Sequence, residues 1–148
     1  MITDFQKNQL RAYFSTQPVD AVYLFGSQIT NKANKLSDLD IGVLFKENVI
    51  VSRRFDLRLD YMSEVGRITG FPDNVDVVDL TKAPPAFVYQ AIFPKQLVFI
   101  GNEDKMMEME KHTVKRYLDI RLALHAIAAR QLQQIAEQGF TYDKRRSN

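Results

Sequence analysis

Two short polar groups, ten residues apart, have the residue types and spacing that chemistry would need. The first is Gly26-Ser27, directly after the apolar run 19–25, and the second is Asp38 with Asp40 at the start of another apolar run. A glycine after a buried strand permits a tight turn and close approach of the backbone to a ligand. If a helix start follows, such a turn presents N–H groups to an anion, so we predict a phosphate-binding turn here.

The aspartates predict a site for a divalent cation. Asp38 and Asp40 are two positions apart at the mouth of a predicted strand, so their side chains point to one side and repel each other. Magnesium prefers carboxylate, phosphate and water oxygens, and a third carboxylate on a neighbouring strand would allow two ions. Asp76 is the first candidate, because a solitary carboxylate in its apolar strand would be costly. Asp79 is the competitor, although an aspartate at a strand end is more typical of a turn cap.

Eight segments show the periodicity or boundary residues of helices and strands. We predict helices at about 4–16, 52–69, 84–93 and 103–138, and strands at 19–25, 39–45, 75–80 and 96–100. This alternation predicts an α/β or α+β fold, with helices around a small sheet.

The helix predicted at 52–69 has Ser52 as its N-cap and Gly70 as its stop. Its spacing places four apolar side chains on one face, Phe55, Leu59, Met62 and Val65. We expect three arginines to form a solvated face, Arg53, Arg54 and Arg58.

The last predicted helix, 103–138, would be about 54 Å long at 1.5 Å per residue. A domain of this size cannot bury all of it, so we expect its outer half to pack against a partner chain. We expect a domain over 1–102, this helix as a packing and partner segment over 103–140, and a frayed tail over 141–148.

Composition is that of one globular domain: 148 residues, 45% hydrophobic, 26% charged, with a net charge of +2. There is no cysteine, which excludes disulfides, thiolate zinc sites and a cysteine nucleophile. A charge of +2 that is spread out does not favour direct nucleic-acid binding. We find no signal peptide and no run of about 18 apolar residues, so we expect a cytoplasmic protein.

The motif Gly26-Ser27, ten residues, Asp38-x-Asp40, then Asp76 on the next long strand resembles the DNA polymerase beta-like nucleotidyltransferase superfamily. The stretches 24–27 and 37–43 are especially similar to the minimal nucleotidyltransferases, many of which are antitoxins paired with a HEPN ribonuclease toxin. The resemblance covers about 19–100 and implies that family's small mixed β-sheet flanked by helices. Many relatives have an arginine soon after Gly-Ser, whereas this chain has Gln28-Ile29-Thr30-Asn31.

The resemblance also implies a reaction. Gly26, Ser27 and Ser37 would bind the nucleotide, and Asp38, Asp40 and Asp76 would be the catalytic residues and the ligands of Mg²⁺, with two ions expected. AMP would pass from ATP to a tyrosine hydroxyl of the HEPN toxin, bound through the C-terminal helix. Two alternatives stay open, a small-molecule nucleotidyltransferase and a non-catalytic module that neutralises a toxin by contact.

Overall fold

The computed structural model describes residues 2–26, 38–93 and 95–138 and forms three layers, with helices on both faces of a sheet. The elements in chain order are α1 (Asp4–Phe14), β1 (Val19–Phe25), β2 (Leu39–Phe45), α2 (Val51–Thr69), β3 (Val75–Asp79), α3 (Pro85–Ile92), β4 (Leu97–Ile100) and α4 (Glu103–Gln138). The predicted elements are confirmed, with ends shifted by one or two residues.

The four strands lie in the order β3-β2-β1-β4. β1 pairs antiparallel with β2 and with β4, whereas β2 and β3 are parallel and are connected through α2. A parallel neighbour requires such a crossover, because its chain must return to the same end of the sheet. The sheet is therefore mixed, as the family resemblance implies.

Each face of the sheet has its own core. α1 and α2 pack on one face, through Leu10, Phe14, Leu57, Tyr61, Val65 and Ile68. α3 and the start of α4 pack on the other, through Val88, Ala91, Ile92 and Met106. We call this second side the α3/α4 face.

The predicted apolar face of α2 is correct only in its second half. Val65 is buried and Met62 packs against the core, whereas Phe55 and Leu59 are exposed. The stripe that is buried along the whole helix contains Leu57, Tyr61, Val65 and Ile68. These two stripes are about a third of a turn apart on the helix. The second stripe is buried because the ring of Tyr61 packs against Phe14 and Phe45 in the core.

The ends of α2 agree only in part with the prediction. Gly70 ends the helix in the left-handed conformation (φ 78°), as a C-terminal glycine does. Ser52 lies inside the helix, and the N-cap is Ile50, which makes no side-chain capping bond. The start is set instead by Val49, which is buried in the core just before it.

The outer half of α4 has no contact that buries it. The buried residues of α4, Met106 and Thr113, both lie in its first half, and every residue from 118 to 138 is exposed. The exposed side chains include Leu118, Leu122, Leu124, Ile127 and Leu132. Among the described helices, none is long and apolar enough to cross a membrane.

Candidate active site

The register of β2 with β3 brings two of the predicted carboxylates together. In this parallel pair Asp40 lies beside Asp76, and neighbouring strands are about 4.8 Å apart. Both residues are on the α3/α4 face, because Asp40 alternates with Leu39 and Ile41, which lie in the opposite core. Asp38 lies just before β2 and is exposed.

Asp40 carries the electrostatic signature of this cluster. Partial burial raises its pKa from 3.8 to about 6, and the negative charges of Asp76 and then Asp38 add to the effect. The charges of Asp76 and Asp38 are therefore close enough to raise the pKa of Asp40. A positive charge placed among the three carboxylates would relieve this repulsion.

Gly26 fits tightly against Asp40. Phe25 pairs with Asp40 across β1 and β2, so that Gly26 follows directly beside that carboxylate. Gly26 has a φ of 89°, and a Cβ atom built there would overlap Oδ2 of Asp40. Glycine is therefore required both for the backbone conformation and for the space that the carboxylate occupies.

Asp79, the competitor for the third position, is occupied in other contacts. Its carboxylate accepts hydrogen bonds from the backbone N–H of Thr81 (2.9 Å), from Thr81 Oγ1 (2.7 Å) and from Arg54 Nη1 (3.2 Å). It also lies three residues beyond Asp76, about 10 Å along the strand. Its role is the turn cap that its position at a strand end suggests.

Two expectations about charged side chains are wrong. Asp76 is exposed rather than buried in an apolar strand, because β3 is at the edge of the sheet. Of the three arginines predicted to be solvated, Arg53 is exposed, but Arg54 and Arg58 are not. Arg54 pairs with Asp79, and Arg58 Nε donates to the carbonyl of Val77 at 2.7 Å. Arg54 and Arg58 thus connect α2 to the edge strand β3 through an ion pair and a hydrogen bond.

Phe87 of α3 is a residue near the site that sequence analysis does not single out. Its ring meets Phe25 edge to face at 5.5 Å and is 38% exposed, so it lies close to the carboxylates. A lone aromatic residue in a short apolar helix carries no signal for this position. Ser27 and Ser37, predicted to bind the nucleotide, lie outside the described residues.

Comparison with known families decides what kind of protein this is. Residues 8–105 match the family model described as polymerase beta, nucleotidyltransferase. The chain belongs to this family. A comparison with curated proteins finds no match.

Solved structures share the fold of this nucleotidyltransferase. A chain from a toxin–antitoxin crystal structure with AMP-PNP is 21% identical, with a TM-score of 0.62, over 88% of this chain and 99% of that one. A chain from a complex of the tri-AMPylated Shewanella oneidensis HEPN toxin with its MNT antitoxin is 19% identical, with a TM-score of 0.58, over 86% and 96%. A chain from an MntA–HepT toxin–antitoxin structure is 19% identical, with a TM-score of 0.60, over 88% and 99%.

The nucleotidyltransferase has a donor set that suits magnesium, since carboxylate oxygens are its usual protein ligands. In the part of the chain that the structure describes, no group of three His, Cys, Asp or Glu side chains is close enough to hold a metal ion without adjustment. Asp38 and Asp76 are exposed. The register of β2 with β3 places Asp40 beside Asp76, and Asp38 lies just before β2.

Replacing Gly26 by alanine should damage activity more than stability. Both Gly26→Ala and Gly70→Ala should lose about 1 kcal/mol of unfolding free energy, because both residues have positive φ. Nothing lies within 4 Å of a Cβ at Gly70, so that variant is the matched control. Only Gly26→Ala should also displace the Asp40 carboxylate and lower nucleotidyl transfer about 100-fold. Equal transfer rates for the two variants would contradict the contact.

Neutralising Asp40 should stabilise the protein when EDTA removes divalent cations. Its folded pKa of about 6 lies above the ordinary 3.8, so ionisation destabilises the fold as pH rises through this interval. The full shift corresponds to about 3 kcal/mol, and solvent screening of this half-exposed group reduces it to about 1 kcal/mol.

Chemical denaturation should therefore show Asp40→Asn to be more stable than wild type at pH 7.5 and equal to it near pH 3.5. Asp73→Asn, an exposed carboxylate before β3, is the control and should change nothing at either pH. A less stable Asp40→Asn at pH 7.5 would show that the carboxylates do not repel in the way the structure indicates.

Proposed function

We propose that this protein is a magnesium-dependent AMP-transferase that acts as an antitoxin, modifying a tyrosine hydroxyl of a HEPN ribonuclease toxin. The observation that carries this proposal is the placement of Asp40 beside Asp76, with Gly26 against the Asp40 carboxylate. A turn that fits close to two carboxylates suits a triphosphate with its cation. ATP and magnesium are both cytoplasmic, and we assign the protein to that compartment.

In this proposal the acceptor oxygen attacks the α-phosphorus of ATP, the bond from that phosphorus to the bridging oxygen breaks, and pyrophosphate leaves. Asp76 accepts the proton of the attacking hydroxyl, since it is exposed and free to meet an incoming side chain. Gly26, with Ser27 and Ser37, holds the phosphates. Two Mg²⁺ ions, held by Asp38, Asp40 and Asp76, would supply the positive charge that offsets the developing negative charge. Catalysis then depends mainly on position and charge.

We propose ATP as the substrate and a HEPN toxin as the partner because proteins of similar fold are described with an ATP analogue or with such a toxin. One is described as a toxin–antitoxin complex with AMP-PNP, another as a tri-AMPylated HEPN toxin with an MNT antitoxin. At about 20% identity this likeness shows fold, and the activity is our inference from the carboxylates that this chain itself carries.

The partner surface in the proposal is the outer half of α4. Its residues 118–138 extend about 31 Å beyond the packed part of the helix, and they expose apolar side chains such as Leu122 and Leu132, each at 68%. An apolar helix surface of this length is typical of a protein interface. The same surface supports the second candidate, neutralisation by contact without chemistry.

The test is transfer of label from α-labelled ATP with Mg²⁺ to the HEPN-type partner protein. Wild type and Asp73→Asn should label the partner, and mass spectrometry should locate AMP on tyrosine. Asp38→Asn, Asp40→Asn and Asp76→Asn should each reduce the rate at least about 100-fold, because each removes a charge that the transition state requires.

A complex that forms stably without any label would overturn the catalytic proposal and support neutralisation by contact. Label on a small molecule instead of the partner would support the remaining alternative, a small-molecule nucleotidyltransferase.

A further inference from the structure

A cavity lies at the other end of the sheet from the carboxylates. It has a volume of about 400 Å³ and is lined by the start of β1, the end of β2, Arg54 of α2, the segment after β3, α3 and the first half of α4. Its apolar walls include Leu44, Leu80, Val88 and Met109. Leu44 is four residues from Asp40 along β2, which separates the two sites by about 13 Å. A volume of this size is in the range of small-ligand sites.

A β-bulge turns Asp20 towards this cavity. The pairing of β1 with β2 shifts register between Val19 and Ala21, so Asp20 is the extra residue. Val22 and Leu24 lie in the α1/α2 core, and regular alternation back from them would place Asp20 in that core too. The bulge places Asp20 on the same side as Ala21, and it lines the cavity. Bulges often re-aim a side chain next to a functional site.

Asp20 is a buried residue that faces the cavity, and its carboxylate receives no hydrogen bond from the described residues. Asp20 is only 5% exposed, and it lines the cavity. Its backbone carbonyl accepts hydrogen bonds from Gly101 (2.8 Å) and Asn102 (3.0 Å). A cation that enters the cavity can therefore form a charge-assisted hydrogen bond with this carboxylate.

Two of the cations that line the cavity are paired with carboxylates. Arg54 binds Asp79 at 3.2 Å, and Lys105 binds Glu47 at 2.7 Å, with Glu108 at 3.6 Å. Arg116 of α4 also lines the cavity, but it is exposed, so water screens its charge. Among the acidic residues of the cavity lining, Asp20 is the one to which the described residues supply no cation.

We propose that this cavity binds an alkylguanidinium or alkylammonium group, whose cationic end pairs with Asp20 and whose carbon chain contacts Leu44, Val88 and Met109. The group is carried either by a free small molecule or by an arginine or lysine side chain of a partner protein. The site is independent of the carboxylates that we propose for AMP transfer.

The test uses butylguanidinium and its neutral isostere butylurea, titrated into the full chain and followed by calorimetry. Wild type should bind butylguanidinium with the millimolar Kd expected of so small a fragment, and butylurea at least about tenfold more weakly. Asp20→Asn should remove this preference, whereas Asp73→Asn should keep it. Ala83→Phe fills the cavity while retaining Asp20 and should abolish binding of both probes, which keeps the test informative if Asp20→Asn does not fold.

Equal affinity for the two probes, or binding that Asp20→Asn leaves unchanged, would overturn the proposal. Binding that appears only in Lys105→Gln would also overturn it, because the chain's own lysine would then be the occupant. The source of the group is assigned by repeating the titration with the partner protein bound. Loss of butylguanidinium binding in that complex indicates a partner side chain, and unchanged binding indicates a free molecule.

Discussion

The repulsion between Asp40 and Asp76 is the constraint on which the rest of the site depends. Two carboxylates side by side on adjacent strands repel each other, and this repulsion adds to the effect of partial burial, the larger cause, in raising the pKa of Asp40. The parallel pairing of β2 and β3 keeps them together because the crossover through α2 and the core beneath it fix the register. Gly26 then leaves room for the Asp40 carboxylate where any other residue would displace it. A cation bound between these carboxylates would relieve their repulsion.

Local signals are sufficient to predict the elements and to place Asp76 on the strand beside Asp40. Glycine and proline mark most of the boundaries, and the two-residue period of β2 correctly placed Asp40 on one side. What failed depends on contacts distant in sequence. Phe55 and Tyr61 lie on alternative apolar stripes of α2, and only the aromatic partners from other elements decide between them. The sequence predicts Arg58 to be solvated, because its acceptor, the carbonyl of Val77, comes close to it only in the folded protein.

Asp76 and Asp20 show the same limit at functional positions. The sequence identified Asp76 correctly as the neighbour of Asp40, but for a partly wrong reason, because an edge strand leaves it exposed. Asp20 carries no sequence signal, since its direction depends on a bulge that exists only when β1 pairs with β2. Carboxylates thus lie at both ends of the sheet, with Asp40 and Asp76 at one end and Asp20 at the other. The outer half of α4 exposes an apolar surface.

The central claim is that Asp38, Asp40 and Asp76 together bind divalent cations with a nucleotide, and the most direct measurement is Mn²⁺ binding followed by electron paramagnetic resonance. With a non-hydrolysable ATP analogue present, wild type should remove close to two Mn²⁺ ions per chain from the free signal, beyond what the analogue binds alone. Asp40→Asn and Asp76→Asn should each remove fewer. If wild type and both variants gave the same free Mn²⁺ signal, these carboxylates would not be a metal site and the proposed reaction would have no basis in this structure.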